Sequence, residues 1–283
     1  MPNWGEARAA ATTRLRSAPD PVTAALDADV LLAYVLGVGK EALFAHPERE
    51  LSVAETERYR ELIERRGRGE PVAYLRGFKE FYGLRFSVDP RVLIPRPETE
   101  VLVDAARERI AGRALTVVDV GTGSGAIAVA IAAHEHRVRV IGTDSSRDAL
   151  VVAEANALAN GVADRIEFRH GDLLAPIAER VDIVCANLPY LPDASVEKWV
   201  GERSSLAFEP RVAVVAGLEG LGVIERCVAD LPRVLSPGGA AFFECDPPQV
   251  AAITAMLERI GLRPRTERDL SGADRMVAAY APT

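Results

Sequence analysis

The run from Leu115 to Val120 ends in Gly121-Thr122-Gly123-Ser124-Gly125, and an apolar helical stretch, Ala126 to Ala133, follows at once. A strand that turns through three glycines directly into a helix constrains this fold more than any other feature. The glycines let the backbone turn sharply and approach a bound molecule, and the helix N-terminus offers unpaired N–H groups. Asp119 is placed to brace the turn by accepting backbone hydrogens. Further strands are predicted at 138–143, 165–170, 181–186 and 239–245, alternating with helices at 125–134, 146–159, 218–235 and 248–260. Such alternation means right-handed crossovers and a mostly parallel sheet with helices on both faces. Strands at 263–268 and 275–280, joined by Asp269-Leu270-Ser271-Gly272-Ala273-Asp274, predict an antiparallel hairpin at the sheet edge. The expectation is an α/β, doubly wound, seven-stranded Rossmann-like sheet.

The first part of the chain reads differently. Residues 5–75 carry helical patterns only, with Leu26, Val30, Leu31, Tyr34 and Val35 recurring before Gly37. Ser52-Val53-Ala54-Glu55 predicts a helix start, since the Ser hydroxyl and Glu carboxylate can satisfy first-turn backbone donors reciprocally; Gly67 predicts its stop. The β-formers on both sides of Gly83, from Phe78 to Val88, predict a hairpin. Leu93 to Glu100 then opens a helix whose apolar face is Val101, Leu102, Ala105, Ala106 and Ile110. These boundaries divide the chain into a helical substrate-recognition domain at 1–76, a hairpin linker at 77–92 and an α/β domain at 93–283.

Composition narrows the function. The 283 residues, 48% hydrophobic, suffice for one sizeable and one smaller core, and a net charge of −7 argues against stable nucleic-acid binding through phosphates. Cys185, Cys227 and Cys245 lie far apart and read as reduced core residues of a cytoplasmic protein. No secretion signal is visible, and the longest apolar stretch falls far short of the roughly 20 residues a membrane span requires, so a soluble protein without a membrane partner is expected. His46, His134, His136 and His170 have no partners at ligand spacing, and no metal is expected.

The C-terminal ends of successive strands carry the candidate cofactor site. The glycines are spaced Gly-x-Gly-x-Gly, not the Gly-x-Gly-x-x-Gly of dinucleotide folds, which suits S-adenosylmethionine because it has no pyrophosphate to seat. The second strand delivers Asp144, placed to accept from both ribose hydroxyls, a role that also serves nicotinamide nucleotides; helix capping falls to Ser145 or Ser146. The third strand delivers Asp172 and Leu173, suited to an adenine amino group and ring.

The fourth strand delivers Asn187-Leu188-Pro189-Tyr190 to the same crevice. An amide or aromatic-amine nitrogen is a poor nucleophile because its lone pair is delocalised, so a site that alkylates it must orient it. The Asn187 side-chain carbonyl and the Leu188 backbone carbonyl can accept its two N–H groups and turn the developing lone pair toward a methyl donor. Tyr190 offers a flat face, and Pro189 confines Leu188 to extended geometry. The reaction class expected is methyl transfer to a planar nitrogen; adenine-N6 methylation of nucleic acid uses the same chemistry and would want a basic recognition domain. Glu244 and Gln249 read as strand-end and helix-start residues without a catalytic role.

Beyond these local readings, nearly the whole chain resembles the protein-(glutamine-N5) methyltransferases that act on bacterial peptide chain release factors. The matching text runs through Arg66-Gly67, Glu70 to Tyr74, Gly77, Glu80 to Gly83, the Leu93-Ile94-Pro95-Arg96-Pro97-Glu98-Thr99-Glu100 run, and Asp119 to Gly125. It continues through Glu209-Pro210-Arg211, Gly217 to Leu221, Glu244 to Gln249 and Asp269 to Arg275. The resemblance implies that Gly121, Thr122, Gly123, Ser124, Gly125, Asp144, Asp172, Leu173 and Asn187 contact the S-adenosylmethionine donor. It implies that residues 187–190 hold the substrate glutamine, in the Gly-Gly-Gln loop of a release factor or in a ribosomal protein, and that the Pro95-to-Glu100 segment walls the acceptor pocket. One departure stands out: the family usually has Asn-Pro-Pro-Tyr, and here Leu188 takes the second position.

Overall fold

A computed structural model of the protein describes residues 1–18, 21–192, 205–217, 220–269 and 272–283. The chain divides into two compact units, Met1–Gly77 with Glu197–Phe208, and Phe78–Val196 with Glu209–Thr283.

The first unit is built on helices α1 (Trp4–Leu15), α2 (Ala24–Leu36), α3 (Lys40–Ala45), α4 (Val53–Gly67) and α5 (Val72–Arg76). The capping box at Ser52 and Glu55 is formed, with the Ser52 N–H donating to the Glu55 carboxylate at 2.7 Å. The buried stripe of α2 is Ala24, Ala28, Leu31 and Leu32, and Leu26 is 51% exposed. The apolar pattern alone put Leu26 inward. The register is set instead by Asp27, which is buried on that stripe and paired to Arg66 of α4 at 2.7 Å.

In the second unit the hairpin strands β1 (Phe78–Phe81) and β2 (Leu84–Ser87) turn through Tyr82 and Gly83, both with positive φ, as a two-residue turn matching the strand twist requires. Phe81 and Phe86 are buried against Leu102, Val103 and Ile110 of α6 (Glu100–Ile110), so the hairpin is part of this unit's core.

The main sheet contains β3 (Thr116–Val120), β4 (Arg139–Asp144), β5 (Ile166–His170), β6 (Val181–Ala186), β7 (Leu235–Glu244), β8 (Arg263–Arg268) and β9 (Asp274–Tyr280), in the order β5-β4-β3-β6-β7-β9-β8. The first five are parallel and β9 is antiparallel to both its neighbours. Side chains alternate between faces: Val117, Val140, Ile183 and Cys185 join the cluster beneath α6 and α7 (Ala126–His134), while Val118, Ile141, Val184 and Ala186 join the opposite one. Helices α8 (Arg147–Ala159), α9 (Arg211–Val214), α10 (Gly222–Val234) and α11 (Val250–Arg259) complete the unit. The helix expected at 218–235 has its first two positions outside the described residues. All three cysteines are free and buried. No helix among the described residues is long and apolar enough to cross a membrane.

The chain runs outward from β3 to β4 and β5, then returns to lay β6 on the other side of β3. This reversal opens a crevice beyond the C-terminal ends of β3 and β6. Val120 pairs with both Thr143 and Ala186, and Ala186 pairs with Phe243, so Asp144, Gly121, Asn187 and Glu244 emerge side by side from four adjacent strands.

Candidate active site

The glycine turn is held from beneath by Asp119, which is fully buried. Its Oδ2 accepts the Thr122 hydroxyl at 2.6 Å and the Ala128 N–H of α7 at 3.1 Å, tying the strand end to the helix start. Oδ1 is buried without a partner among the described residues. Burial pushes the carboxyl up to about 6, with the Thr122 and Ala128 hydrogen bonds pulling against it. Gly121, Gly123 and Gly125 all have positive φ, and a Cβ on Gly125 would meet Ala153 of α8 at 3.2 Å.

Asp144 closes the loop from the side. Its Oδ2 accepts the Gly123 N–H at 2.9 Å, and its Oδ1 accepts the Ser146 N–H at 2.8 Å. Each carboxylate oxygen has a second lone pair, so these bonds leave the edge able to take a ligand's hydroxyls. Ser146 caps α8, its hydroxyl accepting the Ala149 N–H.

One cleft gathers Gly121, Gly123, Asp144, Asp172, Leu173, Asn187, Leu188 and Pro189, roofed by Leu93, Pro210 and Val212. Four other residues singled out in the sequence do not line it. Thr122 and Ser124 are buried behind the loop, the first bonded to Asp119 and the second offering its carbonyl to Asn156 at 2.9 Å. Gly125 is the cap of α7, and Tyr190 turns its hydroxyl toward Glu244. Asp172 is paired to Arg226 at 2.6 Å, with both side chains more than half exposed, so a ligand there would meet an ion pair and not a lone acid. Leu173 adopts positive φ, and its carbonyl accepts the Thr143 hydroxyl at 2.9 Å.

The acceptor loop rests on Thr99, from the segment expected to wall the acceptor pocket, and on Glu244 and Gln249, which the sequence left without a catalytic role. Asn187 donates from Nδ2 to the Thr99 hydroxyl at 3.0 Å, which leaves its carbonyl oxygen without a partner among the described residues. Thr99 lies in the Pro-Arg-Pro-Glu-Thr-Glu run, anchored by Glu209: this buried carboxylate pairs with Arg96 and accepts the Ile94 N–H at 3.0 Å. Gln249 donates to the Tyr190 carbonyl at 2.8 Å. Glu244, 3% exposed, accepts the Tyr190 hydroxyl at 3.4 Å. The signal that could have found Glu244 is an acid closing the otherwise apolar run Ala240 to Cys245.

A donor with a nucleoside and a positively charged sulfur fits this chemistry. Glycines at positive φ leave room for close approach, Asp144 offers hydroxyl acceptors, and the orphaned Asp119 oxygen adds negative potential behind the loop.

The comparisons agree across the chain. Residues 6–77 match the PrmC N-terminal domain and residues 97–204 the methyltransferase small domain. A release factor glutamine methyltransferase of Koribacter versatilis is 38% identical, the match covering 94% of each chain. One of Bordetella pertussis is 39% identical over 92% of this chain and 96% of that one. A methyltransferase structure from Pyrococcus furiosus shares the fold, with a TM-score of 0.54 at 13% identity over 72% of this chain and 92% of that one. With two full-length relatives above a third identity and both domain models in order, the chain belongs to the release factor glutamine methyltransferase family.

Proposed function

We propose that this chain transfers a methyl group from S-adenosylmethionine to the side-chain amide nitrogen of a glutamine, and that the glutamine lies in the Gly-Gly-Gln loop of a peptide chain release factor in the cytoplasm. The observation that carries the reading is the cleft-lining Asn187, tethered through Nδ2 to Thr99 at 3.0 Å with its carbonyl oxygen without a partner among the described residues.

When bound, S-adenosylmethionine supplies an electrophilic methyl group on a positively charged sulfur. The glycine turn, Asp144, Asp172 and Leu173, which line one cleft, would hold the nucleoside. Asn187 Oδ1 accepts one N–H of the acceptor amide and the Leu188 carbonyl the other, so the nitrogen lone pair is turned toward the methyl carbon. As transfer proceeds, positive charge grows on that nitrogen, and the same two carbonyl dipoles stabilise it. The methylated nitrogen then loses its extra proton to solvent. Tyr190 carries the end of the loop, its backbone fixed by Gln249. The helices of residues 1–76 grip the body of the release factor.

The test incubates the protein with radiolabelled S-adenosylmethionine and a release factor, with and without its loop glutamine replaced by alanine. Label is expected only on the unsubstituted factor. Transfer that persists after the replacement, or that goes instead to ribosomal protein or nucleic acid offered in parallel, rejects the assignment.

A further inference from the structure

The wall of the donor cleft contains an ion pair to which the transfer chemistry assigns no part. Asp172 lies just beyond β5 and Arg226 lies on α10, and they meet at 2.6 Å, with Nη1 donating to Oδ2. Both side chains line the cleft, and both are more than half exposed. A pair this exposed is screened by water and adds little to stability. Support of the fold is therefore not what it supplies.

The strand order indicates which part of a nucleoside arrives there. Gly121 follows β3, Asp144 ends β4 and Asp172 lies two residues beyond β5, and these three strands are neighbours in the sheet. With ribose hydroxyls at Asp144, the base belongs one strand further out, at Asp172. Leu173 and Val223 give the cleft apolar surface there, and both pack against the same core cluster. Val223 and Arg226 stand three residues apart on α10, so one face of that helix brings an apolar group and a cation to the cleft together.

A carboxylate only accepts hydrogen bonds and a guanidinium only donates them. The single bond between the two leaves Asp172 Oδ1 and the remaining N–H groups of Arg226 without partners among the described residues. The cleft is thus offered an acceptor beside a donor, with no net charge. Adenine carries the complementary edge: its N6 amine donates and the adjacent N1 accepts. Hypoxanthine carries the reverse, an accepting O6 beside a donating N1–H. A lone acid would read the amine only, and would add a second uncompensated negative charge to the cleft that already holds Asp144.

We propose that Arg226 is a specificity-determining residue of the donor site, which donates to N1 of the adenine while its partner Asp172 accepts from the N6 amine, so that the pair reads the base as a unit. The inference rests on the reading above, in which Asp144 and Asp172 hold the nucleoside of S-adenosylmethionine. Because Asp144 fixes the ribose, the base cannot turn over to present another edge, and a ring without an acceptor at position 1 loses the Arg226 contact.

The experiment measures binding by calorimetry to the full-length wild type and to Arg226→Ala. Three ligands are compared: S-adenosylhomocysteine, its 1-deaza analogue, in which C–H replaces N1 and the amine is kept, and its 7-deaza analogue, altered on the opposite edge. The wild type is expected to bind S-adenosylhomocysteine about tenfold or more tighter than the 1-deaza analogue, as a hydrogen bond to a charged group requires, and to bind the 7-deaza analogue like the parent. Arg226→Ala should bind all three alike, at the level of the wild type with the 1-deaza analogue, and should melt at the wild-type temperature, which a merely structural role of the pair would not allow. If Arg226→Ala keeps the full preference for S-adenosylhomocysteine over the 1-deaza analogue, or if the wild type shows none, the inference is overturned alone. A wild-type preference that follows N7 and not N1 also overturns it. A wild type that binds no S-adenosylhomocysteine sinks the reading of the donor site and this inference together.

Discussion

The carbonyl oxygen of Tyr190 occupies the space where a side chain on Gly220 would begin: a Cβ there would lie 2.2 Å from it. Gly220 also has φ +73°, and Gln249 bridges the two backbones, donating to Tyr190 at 2.8 Å and to the Gly220 carbonyl at 3.3 Å. The acceptor loop is therefore held by a backbone approach that only glycine permits. Gly220→Ala is expected to push Tyr190 outward and lower methyl transfer by about tenfold or more, while affinity for S-adenosylmethionine, which depends on the other end of the cleft, stays near wild type. Equal kcat in the two proteins would show that the loop position is set elsewhere.

Two ion pairs near the cleft should behave oppositely. The Glu209 carboxylate is fully shielded and holds both Arg96 and the Ile94 N–H, whereas Arg226 and Asp172 are each more than half exposed. Removing one partner of a shielded pair strands a desolvated charge, while an exposed pair is screened by water. Glu209→Ala is expected to cost about 2–4 kcal/mol, allowing for the one-third exposure of Arg96. Arg226→Ala should change stability by less than about 0.5 kcal/mol. Urea unfolding curves of the two variants decide, and similar losses would refute the distinction.

The glycine turn carries a stability cost. The buried Asp119 carboxyl is raised from its usual 3.8 to about 6, chiefly by desolvation. Between those values the folded protein binds more protons than the unfolded chain, so stability falls as pH rises through this window, and the full cost is present above it. Asp119→Asn keeps an acceptor for Thr122 and Ala128 and removes the charge. It is expected to be about 1–3 kcal/mol more stable than wild type at neutral pH, with the advantage shrinking as pH falls below about 6, and to bind S-adenosylmethionine more weakly. Thermal melts across pH check this, and a variant less stable at every pH would contradict it.

What could be read from the sequence, and what could not, divides along one physical line. Gly121, Asp144 and Asn187 were legible because each directly follows a predicted strand, and Asp172 because it lies two residues beyond one; a parallel sheet sends all such ends to one edge. The contacts of Thr99, Glu244, Gln249 and Gly220 were not, because they depend on which strands are neighbours, although Thr99 lies in the segment expected to wall the acceptor pocket. Nothing local in the chain says that β7 lies beside β6 and so brings Glu244 next to Asn187. Leu26 shows the same limit on a helix: its apolar side chain fits the pattern, and a buried Asp27–Arg66 pair between two helices turns it outward. The ion pair between Asp172 and Arg226 joins residues 54 positions apart and left no mark on the spacing around either.

Leu188, where the family usually has proline, has a second task besides its backbone carbonyl. Its side chain is 3% exposed, belongs to the core cluster with Val120 and Val184, and touches the glycine turn: a Cβ on Gly121 would lie 3.1 Å from its Cδ2. Proline would stiffen the carbonyl direction but fill less of that space, so rigidity here comes from packing and not from a ring. Leu188→Ala is therefore expected to destabilise the protein by about 2–4 kcal/mol, and to raise KM for S-adenosylmethionine because the turn loses its support. Leu188→Pro should retain methyl transfer, since the accepting carbonyl is present in both. A combined measurement of melting temperature and steady-state kinetics on the two variants separates the roles. Loss of transfer in Leu188→Pro with the fold intact would mean that the side chain, and not the carbonyl, is what the acceptor site requires at this position.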